Sequence, residues 1–244
     1  MSRTFRTTAD VLLPFRLVFM DCDGIVFNSN HLKTAAYKNA LLKMSVVDSE
    51  CDRFVNDFHL ADVSVSRWIK FERFFAEESG SDGEVTRRVE EALSLYSATC
   101  MELYATLTPR AEALAVCDGV TRSAGEGVWI VSGGSQEELG VVFGDGMHAI
   151  APRFRAICGS PTTKVEHVQR ILAETGIAPS ETIFIGDGWT DMKTSQSMGC
   201  AQFVFIEEMS DWRDCDERIA ASPANTTRCA TWADALARFD FAAS

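Results

Sequence analysis

Two carboxylates stand two positions apart at the end of a short apolar run. The run 15–20 leads directly to Asp21, and Asp23 precedes Gly24. In a β-strand, residues i and i+2 point to the same side, so both carboxylates would face one site. Close carboxylates repel each other unless a cation lies between them. The placement suggests a Mg²⁺ site with one aspartate as nucleophile and the other as proton donor. A strand that ends in a polar turn is the alternative.

Further apolar runs also end in polar or acidic groups. These groups are Ser132, followed by Gly133, and the pair Asp187 and Asp191. Lys164 adds a cation at the start of a predicted helix. In parallel α/β sheets, ligands bind where loops leave the carboxyl ends of the strands. One polar strand end carries little information, but several in one sheet indicate convergence on a single site. We therefore expect these groups to meet the aspartates of the first run.

Short apolar runs alternate with helical patterns over much of the chain. The runs lie at 15–20, 128–131, 154–158, 182–185 and 202–206. Such alternation predicts an α/β fold, a Rossmann-like doubly wound parallel sheet built from βαβ units. Between the first two runs the spacing is helical throughout, which predicts an inserted α-helical cap domain. The predicted domains are the α/β core, 1–27 with 108–244, and the cap, 28–107.

The composition narrows the class of protein. The 244 residues carry a net charge of −12, and the sequence pI is about 4.8. This charge argues against a protein that binds nucleic-acid phosphates, which would need clustered Lys and Arg. No stretch approaches the roughly 18 apolar residues of a membrane helix, and no secretory signal is expected. The eight cysteines are scattered without a CxxC pair, which favours reduced thiols and a cytoplasmic location.

The ordered motifs resemble those of the haloacid dehalogenase-like superfamily. They are Asp21-Cys-Asp-Gly-Ile, Val128-Trp-Ile-Val-Ser132, Lys164 and Gly186-Asp-Gly-Trp-Thr-Asp191. The helical insert directly after the first motif is similar to members with a helical cap of the first type, among them phosphoglycolate phosphatase-like proteins. The resemblance spans about residues 15–205, and its specificity comes from the ordered set. It implies a phosphoric monoester hydrolase.

The resemblance also implies roles for the acidic residues. Asp21 would attack phosphorus and form an aspartyl-phosphate, which water then hydrolyses. Asp23 would protonate the leaving oxygen and later deprotonate that water. Mg²⁺ would be held by Asp21, the backbone carbonyl of Asp23 and an acidic side chain of the fourth motif. Asp187 is the expected direct ligand, while Asp191 could ligate directly, bind through water or hold the lysine of the third motif.

Four further residues would bind the phosphoryl group. Ser132 and Lys164 would contact its oxygens and offset charge in the transition state. Gly24 permits an unusual backbone angle, so that its N–H could approach the phosphate closely. Gly133 could act in the same way, although a plain turn explains it equally well. Taken singly, the serine would be interpreted as a turn hydroxyl and the lysine as a solvated helix residue.

Two cations of the predicted cap are candidates for substrate specificity. Arg67 and Lys70 are three positions apart, which places them on one face of a helix that Ser66 is predicted to cap. Their segment has a weaker, local resemblance to relatives associated with sugar metabolism. Surface charge is the alternative.

The resulting prediction is a Mg²⁺-dependent phosphatase acting on a small phosphorylated metabolite, either a sugar phosphate or a phospho-acid. A phosphomutase uses the same residues and differs only in what accepts the phosphoryl group. A non-catalytic binding or regulatory protein would lack the nucleophile or the metal carboxylates, and none is missing here. The expected partner is the small-molecule substrate, with neither nucleic acid nor membrane involved. The chain would be a monomer or a homodimer.

Overall fold

The computed structural model describes residues 3–6, 12–61, 65–78, 81–122, 126–222 and 225–239. The packing divides the chain into two compact units. One combines Met1–Asn28 with Thr108–Ser244 and is called the α/β unit below. The other, Ser29–Leu107, is called the helical unit.

Strands and helices of the described residues are numbered in chain order. The strands are β1 Arg3–Arg6, β2 Leu12–Phe15, β3 Leu17–Met20, β4 Val128–Ser135, β5 Ala156–Ser160, β6 Thr182–Gly186, β7 Gln202–Ile206 and β8 Thr226–Cys229. The α-helices of the helical unit are α1 Asn30–Lys43, α2 Asp48–Arg53, α3 Arg67–Glu77 and α4 Asp82–Thr106, with a π-helix at Phe54–His59. Those of the α/β unit are α5 Ala111–Arg122, α6 Gln136–Phe143, α7 Lys164–Thr175, α8 Trp189–Met198, α9 Cys215–Ala221 and α10 Trp232–Arg238.

A six-stranded sheet forms the centre of the α/β unit. Its order is β5-β4-β3-β6-β7-β8, and all neighbouring strands are parallel. The chain starts in the middle at β3, builds outwards on one side and then crosses to the other, which is the doubly wound arrangement. The predicted α/β fold with a parallel sheet is therefore confirmed.

The strands are apolar because helices cover both faces of a parallel sheet. All four residues of β3 are buried, as are the five residues of β6 and of β7. Helix α7 packs its apolar side, including Val168 and Ile171, against this core. Because both faces of these strands are buried, their sequences are nearly continuous apolar runs.

The helical unit packs around aromatic side chains. Tyr37 of α1 stacks on Tyr96 of α4 at a ring-centroid distance of 4.2 Å, and Phe54 stacks on Phe71 at 4.9 Å. The predicted cap of α3 is confirmed, because the Ser66 hydroxyl accepts the backbone N–H at position 69. The spacing of apolar residues predicts a helix near position 54, and the chain forms a π-helix at Phe54–His59. Periodicity alone does not distinguish a π-helix from an α-helix.

The first predicted strand differs from the observed one. The run 15–20 was expected to form a single strand, but the chain changes partners at Arg16. Residues Leu12–Phe15 pair antiparallel with Arg3–Arg6, and only Leu17–Met20 joins the large sheet. The change of partner at Arg16 depends on the strand Arg3–Arg6 near the start of the chain. The apolar pattern of the run 15–20 carries no information about that strand.

Two further observations concern the whole described chain. All eight cysteines lie within it and none forms a disulfide; Cys22, between the two aspartates, is fully buried. None of the described helices combines the length and apolar character needed to cross a membrane.

Candidate active site

The carboxyl ends of three neighbouring strands meet at one edge of the sheet. Met20 at the end of β3 pairs with Ile130 of β4 and with Ile185 of β6. Asp21 follows immediately, and its backbone N–H donates to the carbonyl of Ile185 at 3.0 Å. The polar groups that this register brings to the same edge are Ser132 in β4 and Asp187 after β6.

Asp21 is a buried carboxylate in contact with a buried cation. Its Oδ1 accepts the backbone N–H of Cys22 at 2.7 Å, and its Oδ2 lies 2.9 Å from Nζ of Lys164. Burial raises the pKa of Asp21 to about 7. The positive charge of Lys164 opposes this rise, whereas the nearby carboxylates of Asp191 and Asp23 add to it. Burial, together with these two carboxylates, thus outweighs the effect of Lys164 on the pKa of Asp21.

Lys164 reaches the site because the start of α7 is fixed. Thr163 accepts the backbone N–H of Glu166, and the Glu166 carboxylate accepts the backbone N–H of Thr163, which forms a capping box. The Lys164 ammonium bridges Asp21 and Asp191, with Nζ 2.6 Å from Oδ1 of Asp191. Burial acts to lower the pKa of Lys164, but these two carboxylates outweigh it and raise the pKa above its usual value. Lys164 is therefore charged.

Asp191 has hydrogen-bond partners on both carboxylate oxygens. Oδ1 contacts Lys164, and Oδ2 accepts the backbone N–H groups of Asp187 (3.3 Å) and Gly188 (3.1 Å). The carboxylate also packs against Gly186, where an added Cβ would lie 2.4 Å from the Asp191 Cβ. Position 186 therefore requires glycine. Asp191 holds both the loop after β6 and the lysine.

Three carboxylates form a cluster suited to a divalent cation. Asp21, Asp187 and Asp191 are buried, and each offers one oxygen within 4.8 Å of the others. Lys164 supplies a single positive charge against these three carboxylates, so the ionised cluster remains net negative. Carboxylate oxygens are the hard ligands that Mg²⁺ prefers. The residues present therefore fit the predicted metal.

A tight turn directly after Asp21 carries Asp23. Gly24 has φ of 71°, the left-handed conformation that glycine adopts without strain. Its N–H donates to the carbonyl of Phe27 at 2.8 Å, and the Val26 N–H donates to the carbonyl of Cys22 at 2.8 Å. Asp23 and Phe27 are joined by an isolated bridge. The Asp23 carboxylate is half-buried, and it is close enough to raise the pKa of Asp21.

Ser132 and Gly133 lie in the last part of β4. The Ser132 side chain is buried, and its hydroxyl accepts the backbone N–H of Gly134 at 3.0 Å. Gly133 is exposed, and an added Cβ would meet no atom of the described residues within 4 Å. Packing therefore does not explain the glycine at 133. Phosphate binding by either residue stays a prediction.

The two cations of the helical unit differ in their surroundings. Lys70 is only 2% exposed; its Nζ lies 3.2 Å from Nδ1 of His59, whose Nε2 lies 3.0 Å from the hydroxyl of Thr34. Arg67 is half-buried, with its guanidinium 5.5 Å from the ring centre of Tyr96. The alternative of solvated surface charge therefore does not describe Lys70. A role in substrate binding stays a prediction for both residues.

Some groups that hold the site were not predicted from the sequence. Ser210, in the loop after β7, donates its hydroxyl to the Asp187 carbonyl at 2.5 Å and accepts the backbone N–H of Trp212. The loop leaves the carboxyl end of a strand, so topology offered a signal for it. Trp232 donates its indole N–H to the Ile25 carbonyl at 3.1 Å. No local pattern pointed to that residue.

Comparison with family models gives one match. Residues 15–199 match the model described as haloacid dehalogenase-like hydrolase, which covers well over half of the chain. Comparison with curated proteins gives no match.

Solved structures provide several similar folds. A haloacid dehalogenase-like family hydrolase from Streptococcus pneumoniae has 18% identity and a TM-score of 0.66, covering 91% of this chain and 97% of its own. CbbY from Rhodobacter sphaeroides, solved with phosphate, has 14% identity and a TM-score of 0.68, with coverages of 93% and 99%. A predicted phosphoglycolate phosphatase from Haemophilus somnus has 14% identity, a TM-score of 0.62 and coverages of 79% and 85%. At such identities the likeness concerns the fold.

Proposed function

The chain belongs to the haloacid dehalogenase-like hydrolase family, and on this premise we propose that it is a Mg²⁺-dependent phosphatase for a small phosphorylated metabolite. One observation carries the proposal. A buried lysine, Lys164, bridges Asp21 and Asp191 within a cluster of three carboxylates at the end of the central strands. A cationic group beside a buried nucleophile and a divalent-cation site is the arrangement that phosphoryl transfer needs.

Asp21 is the proposed nucleophile and Asp23 the proposed acid and base. A carboxylate oxygen of Asp21 attacks phosphorus while the bond between phosphorus and the ester oxygen breaks, and Asp23 gives its proton to the departing oxygen. Asp23 then takes a proton from a water that attacks the aspartyl-phosphate. This second step releases phosphate and restores the Asp21 carboxylate. Asp23 supports phosphate chemistry over dehalogenation, which needs no such proton donor.

The phosphoryl oxygens need donors around Asp21. Lys164 already lies 2.9 Å from the Asp21 carboxylate and is charged, so it would offset the negative charge of a transferring phosphoryl group. Ser132 would donate its hydroxyl and Gly133 its backbone N–H, whereas the Gly24 N–H already donates to the Phe27 carbonyl at 2.8 Å. The open space beside Gly133 supports its assignment, and the left-handed conformation of Gly24 shapes the turn that carries Asp23.

The proposed metal ligands are Asp21, the backbone carbonyl of Asp23, and Asp187, with Asp191 at the same site. The hydrogen bonds of Asp191 to Lys164 and to two backbone N–H groups favour Asp187 as the direct ligand. When bound, Mg²⁺ would neutralise carboxylate charge and polarise a phosphoryl oxygen.

The proposed substrate class is a sugar phosphate or a phospho-acid. Two structures of similar fold support this class, a predicted phosphoglycolate phosphatase and a CbbY variant in complex with xylulose 1,5-bisphosphate. A cytoplasmic location and a monomeric or homodimeric state belong to the same proposal.

A phosphate-release screen with Mg²⁺ tests the function. The panel contains sugar phosphates, phospho-acids and nucleotides, and each reaction is followed both for inorganic phosphate and for the organic product. Release of phosphate from one substrate class supports the proposal. Conversion of a phosphate ester into its positional isomer without release would identify a phosphomutase. Binding without any turnover would identify a non-catalytic protein and contradict the proposal.

We also predict that Arg67 and Lys70 bind a part of the substrate remote from its phosphate. Arg67→Ala and Lys70→Met should each lower kcat/KM for the best substrate of the panel by at least about tenfold, because a charge-assisted hydrogen bond contributes about 1.5–3 kcal/mol. The methionine keeps the buried stem of Lys70. Hydrolysis of p-nitrophenyl phosphate should change little, because that ester offers these cations no partner.

Arg87→Ala is the matched control for this prediction. Arg87 is an exposed arginine of the same unit that pairs with Glu91 one helical turn away. Its loss should leave kcat/KM unchanged for both substrates. Equal values for both substrates in the Arg67 and Lys70 variants would contradict a role in specificity without affecting the catalytic assignments.

A further inference from the structure

The turn that carries Asp23 is held by hydrogen bonds from distant parts of the chain. Within the turn, residues 22–27, backbone N–H groups donate to the carbonyls of Cys22 and Phe27. The carbonyls of Ile25 and Val26 have partners outside it. Trp232, the first residue of α10, donates its indole N–H to the Ile25 carbonyl at 3.1 Å.

A second donor contacts the adjacent carbonyl. The backbone N–H of Arg110, just before α5, donates to the Val26 carbonyl at 2.8 Å. Two successive carbonyls, two and three positions after Asp23, are therefore bound by two residues that are far apart in the sequence. Both bonds fix the path of the backbone directly after the proposed acid and base.

Glu208 joins these two donors to each other. One of its carboxylate oxygens, Oε1, accepts the backbone N–H of Trp232 at 2.9 Å and a guanidinium N–H of Arg110 at 2.9 Å. We call Arg110, Glu208 and Trp232 the clamp. Trp232 and Ile25 are both fully buried. Loss of the indole N–H would leave the buried Ile25 carbonyl without this hydrogen bond, which would cost free energy.

We propose that Trp232 is a positioning residue that holds Asp23 in place for proton transfer, through its indole N–H and the Ile25 carbonyl. This inference rests on the proposed function, in which Asp23 protonates the leaving oxygen. A phenylalanine could fill the apolar site but has no N–H to donate. The indole N–H of Trp232, rather than the volume of its ring, is thus the group that holds the turn.

The variant Trp232→Phe tests the proposal with two esters of similar shape. Phenyl phosphate has a poor leaving group that needs a proton, whereas p-nitrophenyl phosphate has a good one. Because small displacements of a catalytic group are costly, we expect kcat/KM to fall by about tenfold for phenyl phosphate and by about twofold or less for p-nitrophenyl phosphate. The ratio kcat/KM reports the first chemical step, in which Asp23 is the acid.

Trp129→Phe is the matched control. Trp129 is a buried tryptophan of β4 whose indole N–H has no hydrogen-bond partner among the described residues. The same substitution there removes ring volume and an N–H, but no bond to the turn. Its effect, if any, should be the same for both esters. Equal losses for the two esters in Trp232→Phe would show that Trp232 only stabilises the fold, and would overturn the proposal.

A second pair of variants tests the proposal if Trp232→Phe does not fold. Glu208→Ala removes the link between the two donors, and Glu207→Ala removes the adjacent glutamate, which pairs with Arg228 outside the clamp. We expect a larger loss for phenyl phosphate than for p-nitrophenyl phosphate only in the Glu208 variant. The same losses in both glutamate variants would contradict the clamp.

Amide hydrogen exchange separates this inference from the proposed function. Exchange in a peptide covering residues 22–28 should be faster in Trp232→Phe than in Trp129→Phe, because a released turn opens more often. If the unaltered protein releases phosphate neither from these esters nor from any member of the panel, the proposed function fails, and exchange alone decides whether the clamp holds the turn. Unchanged exchange in Trp232→Phe would overturn the inference in either case.

Discussion

Asp21→Asn is expected to abolish phosphate release while leaving the fold intact. The amide has nearly the same shape as the carboxylate but is a much poorer nucleophile, and it removes one negative charge from the metal site. We expect kcat to fall by at least about 10³-fold, equivalent to about 4 kcal/mol of barrier. The measurement is release of inorganic phosphate from the best substrate of the panel. Near-normal release would exclude an aspartyl-phosphate at this position.

Thermal stability provides the control for folding of this variant. Burial raises the pKa of Asp21 to about 7, so the folded chain favours the protonated form. The stability that this group contributes is present at low pH and is lost as the pH rises through about 7. The neutral amide has no such dependence. Without metal, Asp21→Asn should therefore be at least as stable as the unaltered protein at about pH 8, and its advantage should shrink towards about pH 5.

Asp118→Asn is a matched substitution away from the site. Asp118 pairs with Arg153 in an exposed part of the same unit. Its loss should leave turnover unchanged, because exposed ion pairs contribute little to stability. A similar loss of activity in both variants would indicate a general effect of the substitution on the protein.

The sequence predicts well which residues meet at the carboxyl ends of the central strands, because local rules place them. Asp21 follows an apolar run directly, and the rule that ligands bind at the carboxyl ends of parallel strands brings Asp187 and Ser132 to the same edge. The prediction of Lys164 as a site residue depends on more than a local sequence pattern. Its position follows from the order of motifs, and its contacts with two carboxylates are visible only in the folded chain.

What the sequence could not predict depends on contacts between distant positions. Trp232 and Ile25 are 207 residues apart, and neither has a local pattern that suggests the other. The split of the first apolar run at Arg16 has the same origin, since it depends on which strand pairs with each half. The requirement for glycine at 186 also appears only when Asp191 packs against it.

Removal of divalent cations should silence the enzyme, and Mg²⁺ should restore it. Three carboxylates around a single lysine repel one another, and the phosphoryl group adds further negative charge. Ca²⁺ should not restore turnover, because its larger and looser ligand shell would misplace the reacting groups. Phosphate release after exhaustive chelation, followed by addition of each cation, is the measurement. Full activity in the chelated protein would contradict the proposed metal site.

Binding of Mg²⁺ can be followed without any substrate, through thermal unfolding. At a hundredfold excess over Kd, binding contributes about 2.7 kcal/mol, which should raise Tm by about 5 °C or more for a chain of this size. Protons compete with Mg²⁺ for Asp21, whose pKa is about 7 without metal, so the rise in Tm should be larger at high pH than below that pKa. Asp187→Asn should remove the rise, whereas Asp191→Asn should weaken it, because Asp191 already binds Lys164 and two backbone N–H groups. A rise that is independent of pH, or one that survives Asp187→Asn unchanged, would place the cation elsewhere.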